Sequence, residues 1–409
     1  MSVIAANVAE LQGLYGPYSF SEKLLQKIWL RGDFAREAAV LSDGRNVRIL
    51  FAGKWNLLGG PDFLGARVSI GGGPEITGDV ELHLHAGDWV AHGHAGDPAY
   101  DRVRLHVVLF PPKPGAVTRR ADGGAIPVLA LLPLLHHDLE EFAADEAVEL
   151  LAQRPAGRIV EELGCRPTQE LLALLQDHAK QRWELKVYFA RQRLNRLGWE
   201  AACHHAALEI LGFRYNRAPM LRLAGVFPLR IWAEGGVDVA EAWTLERDAW
   251  SVQGVRPANQ PRTRLGQYAR WAKARPSWPA DLVRVAADGQ ALPLEKGTRA
   301  MRREHSLAVL RARIAAECVG GAVGGPRLDT LVCDGFLPLL AARVGADAAP
   351  AGRWFHWFTG DVPPLLSNAL RDLAIFTPQR PACNGLAQGL LGWFLKREAA
   401  ALAPLGRGA

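Results

Sequence analysis

Residues 60–110 read GPDFLGARVSIGGGPEITGDVELHLHAGDWVAHGHAGDPAYDRVRLHVVLF. The stretch holds Asp62, Asp79 and Glu81 and five of the chain's twelve histidines, His83, His85, His92, His94 and His106. Within it, Gly78-Asp79-Val80-Glu81-Leu82-His83-Leu84-His85 alternates polar and apolar residues. Strand side chains point to opposite faces with period two. Asp79, Glu81, His83 and His85 are therefore expected on one face, with Val80, Leu82 and Leu84 turned to a core. Four ionisable groups on one strand face are more than solvation needs, so the chain's chemistry is expected here.

Outward from this strand, the neighbouring patterns place it in a sheet. Residues 46–51 (NVRILF) and 66–70 (ARVSI) read as strands bounded by Asp43-Gly44 and by Gly71, Gly72 and Gly73. Residues 88–94 read as a short helix or helical turn, with Asp88 at the N-cap and Trp89 packed on the sheet. Residues 103–110 (VRLHVVLF) read as a buried strand, in which His106 is expected as a satisfied core histidine. Upstream, residues 1–18 read as a loose lead-in. Ser19-Phe20-Ser21-Glu22 then fits a capping box for a helix over 20–30, with Leu24, Leu25, Ile28 and Trp29 at helical spacing. The element order is α-β-β-β-α-β. Pro111, Pro112 and Pro114 close the unit, with 126–132 as a candidate edge strand.

Downstream of His137 the periodicity becomes helical. Helices are expected over 169–197, 199–211, 241–250, 263–273, 299–318, 328–344, 364–375 and 384–402. A boundary near 140–160 divides the chain into a mixed domain, 1–150, and a mainly helical domain, 151–409. GGAVGG at 320–325 lacks the ending of a phosphate loop, and no internal repeat is present.

Composition is that of a soluble globular protein, with 49% hydrophobic and 22% charged residues. The N-terminus shows no basic and apolar leader pattern, and the apolar run 125–135 is too short to cross a bilayer, so a cytoplasmic protein without membrane contact is expected. Five scattered cysteines with no C-x-x-C pair argue against a disulfide framework or a structural zinc site. The formal net charge of +6 is uneven: ten Lys/Arg face three Glu over 180–230, and six bases face no acid over 251–275. Such clustering suits either a phosphate backbone or solvated helix faces.

The elements LLGGPDFLGARVSI, GDVELHLHAGDW, HGH and YDRVRLHVV, followed by LGFRYNRAPMLRLA, GVRPANQPRTRLGQ and CNGL, resemble the bacterial family named domain of unknown function 2851. That resemblance implies a bacterial cytosolic protein with an N-terminal mixed domain and a helical remainder, and no activity. More distantly, Pro61-Asp62 followed by Glu81-Leu82-His83 on the next strand resembles the PD-(D/E)XK nuclease superfamily. It implies an α+β protein with a restriction-endonuclease-like αβββαβ sheet, in which Asp62 and Glu81 hold a divalent metal. His83 stands where that superfamily has a lysine.

Carboxylates suit Mg2+ or Mn2+, which polarise a phosphoryl oxygen. On this reading Asp62 and Glu81 are metal ligands, and Asp62, Glu81 and His83 carry catalysis, with His83 as base or ligand near neutral pH. The competing assignments are a turn residue for Asp62, a solvent-facing carboxylate for Glu81 and a cross-strand hydrogen bond for His83. His92 and His94 beside His83 and His85 offer an alternative site for Zn2+ or Fe2+. Arg217, Arg256, Arg262 and Arg264 are candidate contacts to DNA or RNA phosphates. Three functions are carried forward: a metal-dependent nuclease or phosphodiesterase, a non-catalytic nucleic-acid-binding or scaffold protein, and a histidine-rich metallohydrolase of a small molecule.

Overall fold

The computed structural model describes residues 8–402 apart from 14–15, 114–116, 152–156, 214, 254, 287–290 and 345–347. These residues form two compact units, one reaching Glu146 and the other running Ala147–Ala401.

In the first unit, β1 (Val8–Gly13) and β2 (Gly16–Ser21) form an antiparallel pair, with Val8 opposite Ser21. The expected loose lead-in is thus strand over its described residues. Helix α1 (Glu22–Arg31) follows at once. Its N-cap is Ser21, whose Oγ accepts from the Leu24 N–H at 3.2 Å, so the cap lies two residues later than the capping box placed it. Gly32 ends the helix in the left-handed region at φ 66°, a conformation glycine takes at little cost.

The main sheet contains β3 (Val47–Phe51), β4 (Lys54–Trp55), β5 (Phe63–Ile70), β6 (Glu75–His83), β7 (Val103–Val108) and a short parallel edge strand over Val128–Ala130. Its order runs from the edge strand through β7, β6 and β5 to β3, with β4 paired to β5. The four strands read from the sequence therefore share one curled mixed sheet. β3, β5 and β6 are antiparallel neighbours, whereas β7 returns parallel to β6 with Glu81 opposite His106. A parallel return needs a crossover, and residues 84–102 supply it, carrying the short helix α2 (Asp88–Ala91).

Both faces of β6 are buried. Val80, Leu82 and Leu84 join Leu24, Leu25, Ile28 and Trp29 of α1 in one core, with Phe63, Leu105 and Val107. The opposite face carries Asp79, Glu81 and His83, each no more than 5% exposed. The crossover covers it, contributing Trp89 and Tyr100 to a small second cluster with Val103 and Ile126. Gly78 lets the strands approach this closely: a Cβ there would stand 2.7 Å from the Arg102 carbonyl oxygen.

The second unit is built of helices among its described residues. Its longest, Thr168–Leu197, and the next, Trp199–Leu211, lie where their periodicity places them. The expected helix over 299–318 is instead Thr298–Glu304, Leu307–Arg313 and a wider π-turn Ile314–Cys318, broken at Ser306 with φ 48°. Asn384 of CNGL is buried, donating its side-chain amide to the Trp354 carbonyl at 3.1 Å, which makes that motif a structural tie. All five cysteines are unpaired, Cys165 being exposed and the rest buried. Among the described residues no helix is long and apolar enough to cross a membrane.

Candidate metal centre

Asp62 lies just before β5 and Glu81 near the end of β6, and the two residues clamp one another. The Asp62 N–H donates to Glu81 Oε2 at 2.9 Å, and Asp62 Oδ2 accepts from the Leu82 N–H at 3.0 Å. Asp62 Oδ1 accepts from Gln26 Nε2 of α1 at 2.6 Å. Gln26 was not singled out by the sequence reading, and a lone glutamine on an amphipathic helix gives no signal of such a role. Among the described residues neither carboxyl group has a lysine or arginine within ion-pair distance.

The free side of Glu81 meets imidazoles. Glu81 Oε1 is 3.6 Å from His83 Nε2 and 3.3 Å from His94 Nε2, and His83 Nε2 is 3.1 Å from His92 Nδ1. His83, His92 and His94 can each present a ring nitrogen within 4.8 Å of the others. Four ligands about 2.1 Å from a tetrahedral ion stand roughly 3.4 Å apart, so these separations are close to the edges of such a cage. His94 is stacked on Tyr100, ring centres 3.9 Å apart. His83 Nδ1 faces His106 Nε2 at 2.9 Å, and His106 Nδ1 faces Thr118 Oγ1 at 2.9 Å.

Burial sets the protonation of the cluster. It pushes Asp62 up to about 8, with the Glu81 charge adding to the effect, and it pushes Glu81 up to about 8. It depresses His83 to about 2, helped by His106, His94 and His92, and His106 to about 3, helped by His94. His94 is lowered in the same way against the pull of Asp62 and Asp97, and the Tyr100 phenol is raised. Without a cation, His83, His94 and His106 are held neutral beside carboxyl groups that resist ionising. Neutral imidazole is the form that binds a metal, and a metal ion would favour the carboxylates.

His85 is not part of the cluster. β6 ends at His83, and the exposed His85 stacks on Phe110 while its N–H donates to Asp88 Oδ2 at 2.8 Å. Asp79, on the same strand face as Glu81, accepts from the Gly65 N–H at 2.9 Å and ties β5 to β6. Thr118 carried no sequence signal, since only the fold brings it to His106.

In the helical unit, Arg256 and Arg262 are exposed and Arg217 is half-buried. Arg264 does not stand on that surface: it is buried, donating to Asn259 Oδ1 at 2.5 Å and Gln267 Oε1 at 2.8 Å. Its place in the first turn of Pro261–Ala274, beside Leu265 and Pro261, turns it inward.

No curated protein matches the chain, and no solved structure matches it. Residues 22–243 match the family described as protein of unknown function (DUF2851), which spans α1, the main sheet and the first helices of the second unit. The chain belongs to that family.

Proposed function

We propose that the first unit is a divalent-metal-dependent hydrolase of phosphodiesters, and that Glu81, His83, His92 and His94 hold its ion. The observation that carries the proposal is the convergence of three imidazoles and a buried carboxyl group without an accompanying lysine or arginine among the described residues. Buried carboxyl groups are ordinarily paired or coordinate a metal. Three nitrogens and one oxygen suit Zn2+, Fe2+ or Mn2+ better than Mg2+, which prefers oxygen ligands and several waters. The donor set thus moves the reading away from Mg2+ held by Asp62 and Glu81 alone. An ion there would supply Lewis acidity toward a phosphoryl oxygen.

The residues of this chain then divide the work. Glu81 is oriented by the Asp62 N–H, and His83 by His106 and Thr118. Asp62, held by Gln26 and by the Leu82 N–H, is the carboxyl group placed to accept or return a proton beside the ion. His83 replaces the lysine of the nuclease resemblance and, being neutral, binds where a lysine would carry charge. Support for a phosphodiester comes from the order α1-β3-β4-β5-β6-α2-β7, which differs from αβββαβ by the two-residue β4, and from Asp62 before β5 and Glu81 on β6, on which the nuclease resemblance rests. The exposed Arg256 and Arg262 add a basic surface suited to DNA or RNA. A small-molecule substrate is the second reading, favoured by the near-complete burial of Glu81 and His83.

Metal analysis of the purified protein, followed by hydrolysis of bis-p-nitrophenyl phosphate and of single- and double-stranded oligonucleotides with added Zn2+, Mn2+ or Mg2+, tests this. The proposal expects metal-dependent diester hydrolysis that Glu81→Gln and His94→Ala remove. A metal-loaded protein inert toward every diester would leave the ion and overturn the reaction. A protein that takes up no metal would turn the reading to a scaffold.

A further inference from the structure

The two most exposed large apolar side chains among the described residues stand side by side in the loop that leads into Asp62. Leu57 is 75% exposed and Leu58 87%. Single apolar residues on a surface are ordinary. An adjacent pair at the tip of a closed loop presents an apolar point to water.

The loop is held in that shape from within. β4 and β5 pair so that Lys54 faces Leu64 and Trp55 faces Phe63, and residues 56–62 turn the chain back between them. Asn56 Nδ2 donates to the Gly59 and Pro61 carbonyls at 3.2 and 2.9 Å, and Asn56 Oδ1 accepts from the Leu58 N–H at 3.1 Å. The Asn56 N–H donates to the Asp62 carbonyl at 2.7 Å and closes the base. Gly60 supplies a left-handed bend at φ 96°, which a side chain would strain. A loop tied in this way keeps its tip at one place instead of folding the leucines onto the sheet.

Both ends of the loop belong to the candidate metal centre. Trp55 Nε1, on the entering strand, donates to Gln26 Oε1 at 3.2 Å, and Gln26 Nε2 donates to Asp62 Oδ1 at 2.6 Å. At the leaving end the Asp62 N–H donates to Glu81 Oε2. Leu58 is four residues from Asp62, at most about 14 Å along an extended chain and less in a closed loop. A strand whose phosphate lies at the ion therefore passes the tip within about four stacked bases, at a rise of about 3.4 Å each. Lys54 at the foot of the loop is exposed, as is Lys23, one turn before Gln26 on α1, and residues 52–61 contain no acid. An apolar point with cations at its foot matches a polymer that offers base faces and phosphates together. A lipid surface asks for a whole apolar helix face or two acyl anchors, whereas one or two leucines are enough to part stacked bases.

We propose that Leu57 and Leu58 form a wedge that enters between the bases of a nucleic-acid strand whose phosphodiester is presented to the ion. The substrate class rests on the diester reading above, and the wedge names the residues that select it.

Titration of the intact protein, in chelator so that no strand is cut, into single- and double-stranded oligonucleotides carrying 2-aminopurine tests it. That base brightens when it is unstacked. The expected result is saturable binding with a rise in fluorescence. Leu57→Ser combined with Leu58→Ser should weaken binding about tenfold or more and remove the rise, with metal uptake and unfolding temperature unchanged. Leu57→Met combined with Leu58→Met should restore both. Absence of strand binding, binding without a rise, or equal binding by the serine variant overturns the proposal. So does a serine variant that loses only adhesion to anionic phospholipid vesicles or self-association, which gives the tip to another partner. None of these readouts needs turnover. A protein that shows the wedge and hydrolyses no diester keeps this inference and loses the reaction, and one that cleaves strands equally well with the serines keeps the reaction and loses the wedge.

Discussion

His83 Nδ1 lies 2.9 Å from His106 Nε2, on the strand paired in parallel with its own. If His83 donates this hydrogen bond, its Nε2 carries a lone pair toward Glu81, His92 and His94. His106 must then be protonated on Nδ1, where it meets Thr118 Oγ1. One chain of contacts thus orients the imidazole offered to the ion, in the manner of outer partners at metal sites.

Replacing His106 with Phe, or Thr118 with Val, should therefore weaken metal binding while leaving the ligands in place. The expected loss is about 10–100-fold in affinity. Competition titration against a chromogenic chelator measures it, and unchanged affinity in both variants would show that the chain orients nothing.

The raised Asp62 pKa makes a prediction about the metal-free protein. Its folded value of about 8 lies above the ordinary carboxyl value, so the proton is held more tightly in the folded state. Stability should accordingly fall as pH rises from about 4 to about 8. Asp62→Asn should flatten that fall. Urea unfolding in chelator across this range reads the slope, and equal slopes in the two proteins would argue that Asp62 ionises freely.

In the helical unit the sign is opposite. Burial and the His205 charge depress His204 to about 4, against the help its proton would gain from the Phe227 carbonyl. His204 contacts the Tyr268 hydroxyl at 2.5 Å and the Phe227 oxygen at 2.9 Å. Its contribution to stability is present above the unfolded pKa of about 6.5 and is lost as pH falls toward 4. His204→Gln should lower stability at pH 7 but show a shallower acid slope, measured by tryptophan fluorescence in urea.

Gly78 sits where β6 and β7 approach. An added Cβ would meet the Arg102 carbonyl oxygen at 2.7 Å and the Arg104 side chain at 2.2 Å. The arginine can swing away, whereas the backbone oxygen cannot without shifting the strand. Gly78→Ala should cost about 1–3 kcal/mol and loosen the spacing between Glu81 and His106. Metal affinity and unfolding free energy should fall together.

The sequence revealed the sheet because alternation in residues 78–85 and the glycine-bounded runs beside it are local signals. It also brought Asp62, Glu81 and His83 to one place, since two adjacent strands were enough. His85 broke the pattern because β6 ends at His83, and alternation does not say where a strand stops. His92 and His94 reach Glu81 and His83 only because the 84–102 crossover folds back over the strand face, anchored by Trp89 Nε1 on the Arg119 carbonyl at 2.9 Å. That return is a long-range event with no local spacing rule. The burial of Arg264 was hidden for a related reason: a basic run signals charge, while burial depends on which helix face packs inward.

Anomalous diffraction from crystals of the protein soaked separately in Zn2+ and Mn2+ locates any ion held by Glu81, His83, His92 and His94. One peak per chain is expected within about 2.0–2.3 Å of nitrogens of His83, His92 and His94 and of a Glu81 oxygen. That peak should vanish in His92→Ala combined with His94→Ala. An empty cluster with the imidazoles hydrogen-bonded to one another and to Glu81, or an ion held by other residues, would contradict it.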